Sequence, residues 1–292
     1  MAANQGLAEI LPAKLYRGLL VLTCAWPGQR VAPNSLLIKV HEANSPIKLP
    51  LIWCGGPNEL DSIIATFGND RTIYGLRGTY DFVEPTDEVI CKLSEYYANE
   101  IELAAIPAPY IIAGNCAAAY LAAEISNLLI LRGHKIGFLG LIERDVTVYS
   151  IPLQIARKLF RGIDRIGTIF CDISHTWENR SIIDGVKHAF SIILIGLKLR
   201  KQKRDPRSLI RYKHGQIEDK SYELKPCPNN ASLLFIRWGV FGFYQFKFFQ
   251  KYWKNIIKGR ITIDFIAGYS HQHPKWSLII EKLSHRINEA GH

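Results

Sequence analysis

Cys116 sits in a stretch, Tyr110 to Ala119, where an apolar run with branched side chains ends at Gly114, passes Asn115 and the thiol, and restarts as alanine-rich sequence. This pattern predicts a strand, a tight turn and a helix, with the thiol at the apex. An apex residue of this kind is held in a strained backbone conformation while the incoming strand lies against the outgoing helix, so its neighbours must be small. Gly114, two residues before, and Ala118, two residues after, meet that need. The pattern reads as Gly-x-Ser-x-Gly with cysteine for serine and alanine for the second glycine, a placement that suits a nucleophile. The competing reading is a buried structural cysteine at a strand end, because a free thiol packs as a small hydrophobe. Spacing alone leaves both open.

The elements around this turn alternate. Leu36–Val40 and Leu49–Cys54 read as strands, the second running into Gly55-Gly56-Pro57-Asn58, which taken alone is a tight turn. A helix over Glu59–Phe67, a strand over Thr72–Leu76 and a helix over Pro85–Glu102 follow; in the last, Val89, Leu93, Tyr96, Tyr97 and Ile101 fall at helical spacing. The helix predicted over Ala117–Leu131 closes with Arg132-Gly133-His134, ordinary helix-end residues, and the strand Ile136–Ile142 runs directly into Glu143-Arg144-Asp145. This order predicts a parallel α/β sheet with the Cys116 turn on a central strand and a site at the carboxyl ends of the strands.

From about Ser150 to Lys225 the alternation stops, and the segment reads as a helical lid over the site. It resumes with a strand at Ala231–Arg237, an aromatic-rich helix at Tyr244–Ile257 and a strand at Ile261–Ile266. Ala267 to His273 then leads into a closing helix, Trp276–Ile287, whose His285 is read as structural. The aromatic stripe, at helical spacing, reads as core packing. The expectation is one domain over 1–292, with an N-terminal extension at 1–33, a core at 34–149 and 228–292, and a lid insertion at 150–227.

Hydrophobic residues at 48% and charged residues at 21% of 292 suffice for a full core. No apolar run approaches the roughly 18 to 20 residues a spanning helix needs. Gly18–Trp26 is too short for that and lacks a cleavage pattern, so it reads as part of the fold and the expected compartment is the cytoplasm. Six scattered cysteines without a Cys-x-x-Cys pair argue against zinc and against a disulfide scaffold, and fit a reducing compartment. The net charge of +10 is uneven: residues 1–150 carry 11 basic and 15 acidic side chains, residues 151–292 carry 25 and 11. Its densest part is Lys198 to Lys213, where eight of sixteen residues are Lys or Arg, among them Lys198, Arg200, Lys201, Lys203 and Arg204. Such a run is either a solvated face or a site for an acidic partner, and no nucleic-acid motif accompanies it.

Several stretches, in order, carry a resemblance: Ser35-Leu36-Leu37 leading to Pro50-Leu51-Ile52-Trp53; Thr72-Ile73-Tyr74-Gly75-Leu76-Arg77; Tyr97-Ala98-Asn99-Glu100-Ile101; Pro109 to Gly114; Arg132-Gly133-His134; and Trp253, then Gly259, then a strand, then a glycine shortly before a histidine. Together they resemble the thioesterase domains of nonribosomal peptide and polyketide synthases, a branch of the α/β-hydrolase fold. The likeness covers about Asn34 to Val146 and Ala231 onward.

The resemblance implies a mostly parallel central sheet flanked by helices, with a helical lid insertion. It places Cys116 where the family has its serine, and Glu143 at the triad carboxylate with Asp145 as the alternate. His271 takes the histidine position with His273 as the alternate, because Gly268-Tyr269-Ser270-His271 is one residue longer than the family's glycine-x-histidine. The oxyanion hole would combine the backbone N–H of Ala117 with that of Gly56 or Asn58, since Pro57 has none. The substrate would be an acyl, aminoacyl or peptidyl group on the phosphopantetheine of an acidic carrier protein. It would be passed through Cys116 to an amine, an alcohol, a second carrier thiol or water, with no cofactor or metal bound by this chain. The alternatives are a catalytically reduced module that docks a carrier, and a membrane-surface protein using Ala189 to Lys213 as a basic amphipathic patch.

Overall fold

The computed structural model describes residues 10–78, 86–115, 118–142, 226–227, 230–237, 253–267 and 276–290. Among them, eight strands form one sheet: β1 (Gln29–Arg30), β2 (Ile38–His41), β3 (Leu51–Gly55), β4 (Ile73–Arg77), β5 (Tyr110–Asn115), β6 (Ile136–Ile142), β7 (Ala231–Arg237) and β8 (Ile261–Ala267). Their order is β1-β2-β4-β3-β5-β6-β7-β8. β1 pairs with β2, and β2 with β4, in antiparallel fashion; every pairing from β4 to β8 is parallel. The helices are α1 (Ala13–Leu22), α2 (Pro57–Phe67), α3 (Asp87–Leu103), α4 (Ala118–Leu131) and α5 (Trp276–Ala290). Parallel neighbours need long crossovers, and α2, α3 and α4 supply three of them.

Period-two alternation along the strands sorts the core into two layers. On one face Ile52 and Cys54 of β3, Ile112 of β5 and Leu139 and Leu141 of β6 pack with buried residues of α1, α3 and α4. On the other, Leu51 and Trp53, Ile111 and Ala113, and Phe138 and Ile142 pack with α2 and α5. β3 and β5 are buried along their whole length, as strands covered on both faces must be.

Helix α4 is buried along nearly all of its length, and its alanines at 118, 119, 122 and 123 let it approach the sheet closely. It ends in a Schellman motif, with the His134 amide donating to the Leu129 carbonyl and the Gly133 amide to the Ile130 carbonyl, both at 2.9 Å, and Gly133 at φ +88°. Arg132 and His134 then both reach Glu102 of α3, at 2.6 and 2.7 Å. The Arg-Gly-His tripeptide is therefore a joint between two helices.

Residues 10–33, within the expected N-terminal extension, pack onto the core. Leu15 and Leu19, one helical turn apart on α1, are fully buried against α3 and the sheet, and each such burial contributes about 1.5–3 kcal/mol. Arg30 of the added edge strand β1 donates to the Leu20 carbonyl at 3.1 Å and to Thr23 Oγ1 at 2.9 Å. Behind them lies a buried polar group in which Ser35 Oγ and Tyr96 OH both donate to Glu100. No described helix is long and apolar enough to cross a membrane. The expected lid at 150–227 lies outside the described residues apart from 226 and 227, and the aromatic helix is described from 253, where Trp253 is fully buried core.

Candidate active site

The site is assembled at the carboxyl ends of β3, β4 and β5. Parallel register sets Cys54 beside Gly114, Gly55 beside Arg77 and Asn115 beside Ile142, so four strands end together. β5 is central, with β3 on one side and β6 on the other, and α4 begins three residues after it ends. A Cβ built on Gly114 would stand 2.6 Å from the Ala118 carbonyl oxygen and 2.9 Å from both Ala119 Cα and Ala122 Cβ. The strand therefore lies directly against the helix that follows it, and no larger residue fits at 114. This is the packing that a sharp strand-to-helix turn around residues 116 and 117 requires. Cys116 and Ala117 themselves lie outside the described residues, as do Glu143, Asp145, His271, His273, Lys198, Arg200, Lys201, Lys203 and Arg204.

Beside the end of β5 lies the junction between β3 and α2. Pro57 opens α2 at a position whose missing N–H costs the helix nothing, and Glu59, two residues on, folds its carboxylate back over the helix start. Glu59 Oε2 accepts from the Gly56 amide and from Trp53 Nε1, both at 3.1 Å, and Oε1 accepts from Asn115 Nδ2 at 2.7 Å. Trp53 and Asn115 both point to the α2 side of the sheet, as their odd-numbered positions require. A Cβ on Gly55 would sit 2.1 Å from Glu59 Oε2, so this glycine is what admits the carboxylate. Sequence reasoning assigned the glycines to a turn or an oxyanion loop and missed Glu59. The signal for it was proline followed two residues later by glutamate at a helix start.

Arg77 completes the edge. Its Nη1 is 3.5 Å from the Gly55 carbonyl, and its main chain is pinned by Tyr97, whose hydroxyl donates to the Arg77 carbonyl at 2.8 Å and accepts from the Arg77 amide at 3.2 Å. Burial pushes the Tyr97 phenol well above its ordinary range, which keeps it a donor. Cys54 lies one strand from Gly114 in register, but its side chain is fully buried and burial pushes its thiol far up. It is a neutral packing group and no rival nucleophile. His285, expected to be structural, is instead a surface residue with its side chain 70% exposed, 3.5 Å from Glu289 one turn on.

No family model matches the chain, and no curated protein matches it. Solved structures do resemble it. One is a Vlm2 thioesterase domain carrying genetically encoded 2,3-diaminopropionic acid and bound with a dodecadepsipeptide: TM-score 0.50 at 13% identity, covering 86% of this chain and 97% of that one. Another is holo-AB3403, a four-domain nonribosomal peptide synthetase bound to AMP and glycine, with TM-score 0.50, 13% identity, and 86% of this chain against 20% of that one. The fold is the α/β-hydrolase fold. The close approach of Gly114 to α4 falls at the carboxyl end of the central strand β5.

Proposed function

We propose that this chain is a thioesterase-like acyl-transfer enzyme of natural-product biosynthesis with Cys116 as its nucleophile. The observation that carries the reading is the Gly114–Ala118 contact on the central strand, which fits a nucleophile turn. The substrate is an acyl, aminoacyl or peptidyl thioester on the phosphopantetheine arm of a carrier protein. The Cys116 thiolate attacks the carbonyl carbon, a carbon–sulfur bond forms, the bond to the phosphopantetheine sulfur breaks, and the departing thiolate takes a proton from the histidine. An amine, an alcohol, a second carrier thiol or water then attacks the Cys116 thioester and releases the thiolate. Because thioester is exchanged for thioester, little free energy is lost in the first step and the acyl group stays activated for transfer.

His271, with His273 as alternate, acts as the base, and Glu143, with Asp145 as alternate, orients it. Glu143 directly follows Ile142, which pairs with Asn115, so the carboxylate position is one strand from the nucleophile position. β8 is three strands from β5, about 14 Å at 4.8 Å per strand. Four residues from Ala267 to His271 extend at most about 13 Å and the side chain adds to that reach, a length sufficient for that gap. No cofactor is required, since the pantetheine arrives with the carrier. The basic residues Lys198, Arg200, Lys201, Lys203 and Arg204 dock that acidic partner, and the compartment is the cytoplasm. Charge reversal at these five positions is expected to slow reaction with carrier-bound substrate while leaving small thioesters unaffected; an unchanged rate with the carrier removes the docking role.

One observation favours a second reading, a carrier-docking module without turnover: the Gly56 amide, a candidate oxyanion donor, is occupied by Glu59. Acylation of the intact protein by a loaded carrier separates the two.

A further inference from the structure

We propose that Glu59 is a positioning residue that holds the nucleophile turn in place through Asn115. The proposal rests on the reading of Cys116 as the apex of that turn. A helix cap needs a single bond, from the Gly56 amide to Glu59 Oε2, and the structure provides it at 3.1 Å. The second oxygen does something a cap does not need. Glu59 Oε1 accepts from Asn115 Nδ2 at 2.7 Å across 56 positions of sequence, and Asn115 is covalently joined to Cys116.

Asn115 is 3% exposed, and its Oδ1 is buried without a partner among the described residues. Among the described residues, its amide is oriented by the Glu59 bond alone. Trp53, fully buried and in edge contact with Trp276 of α5 at 6.4 Å, fixes the carboxylate from the sheet side. Glycine at 55 leaves the space the carboxylate fills. Three elements, β3, α2 and β5, thus meet on one carboxylate immediately before the apex. A further consequence concerns the oxyanion hole: with the Gly56 amide engaged by Glu59, the candidate left to act with Ala117 is the Asn58 amide, which lies in the first turn of α2 where helix geometry offers it no carbonyl.

The test uses the full chain as wild type, Glu59→Ala, Asn115→Asp and the pair Glu59→Gln with Asn115→Asp. In the pair, the new amide oxygen still accepts from Trp53 and Gly56, and its nitrogen donates to the new carboxylate, so the bond is restored with reversed polarity. Transfer from an acetyl-loaded carrier is expected to fall by about 10- to 100-fold in each single variant, in kcat rather than KM. The pair should return to within about twofold of wild type. Alkylation of Cys116 by iodoacetamide, which needs no defined geometry, should stay level throughout. Single variants that transfer at the wild-type rate overturn the proposal, and so does a loss of transfer that tracks a loss of folded protein and of alkylation together. Hydrogen exchange at residues 114–119 reads the clamp independently of turnover. If wild type takes no acyl group but Glu59→Ala speeds exchange there by about tenfold and leaves β6 protected, the clamp stands and the enzyme reading falls. Unchanged exchange overturns the clamp itself.

Discussion

Gly114 and the Ala118 carbonyl approach each other so closely that a methyl group on residue 114 would lie 2.6 Å from the oxygen. The neighbours on that side are the backbone of Ala118 and Ala119 and the Cβ of Ala122, none of which can swing away as the end of a flexible side chain can. Relief requires moving α4 off β5. Gly114→Ala is expected to cost about 1–3 kcal/mol of overpacking strain and to abolish whatever reactivity the turn confers. Urea titration and transfer from an acetyl-loaded carrier measure the two effects, and a variant with wild-type stability and transfer contradicts the close contact.

Gly133 offers the contrast. It lies at φ +88° with nothing within 4 Å of where a Cβ would stand, so the cost of Gly133→Ala is backbone strain alone. About 1 kcal/mol is expected, with no effect on transfer from an acetyl-loaded carrier. A loss of transfer would show that the joint made by Glu102, Arg132 and His134 reaches the site.

Glu100 predicts an unusual pH dependence. Its carboxyl is held above the ordinary value of 4.5, chiefly by burial, against the hydrogen bond from Tyr96, the Leu37 amide and the charge of Arg30, which pull the other way. The folded protein then binds more protons than the unfolded chain just above that value, so this group's contribution weakens as pH rises through the window. Glu100→Gln removes the effect. The Tm of the variant relative to wild type is expected to be higher at pH 7 than at pH 4; the same difference at both pH values contradicts the shift.

Asp264 of β8 behaves in the opposite sense. Arg286 donates to both of its oxygens, at 2.7 and 2.8 Å, and holds the carboxyl below its ordinary 3.8. Stability from this pair is present above that value and is lost as pH falls toward the lowered one. Arg286→Met should cost about 1.5–3 kcal/mol at pH 7 and progressively less below pH 3.8. A cost independent of pH would mean that the arginine acts through packing.

Much of this architecture is legible in the sequence because the strands are short, apolar and bounded by glycine or charge. Ile136–Ile142 and Ala231–Arg237 are read to the residue, and Tyr110 onward is placed correctly at the sheet centre. Two things are not legible. Residues 10–33 read as a helical-looking start and a turn, but their packing does not show because α1 buries only a narrow stripe, Leu15 and Leu19, and β1 is two residues long, too short for alternation to register. The Glu59 clamp is hidden for a different reason: its partners Trp53, Gly56 and Asn115 are brought together only by the parallel register of β3 with β5. Local pattern marks the helix cap, but the bond to Asn115 is a property of the assembled sheet.

The nucleophile assignment is tested most directly by intact-protein mass spectrometry after mixing the full chain with an acyl-loaded carrier protein. The expected result is a mass increase equal to one acyl group in wild type and none in Cys116→Ala. No increase in wild type, or an increase that persists in Cys116→Ala, would contradict it.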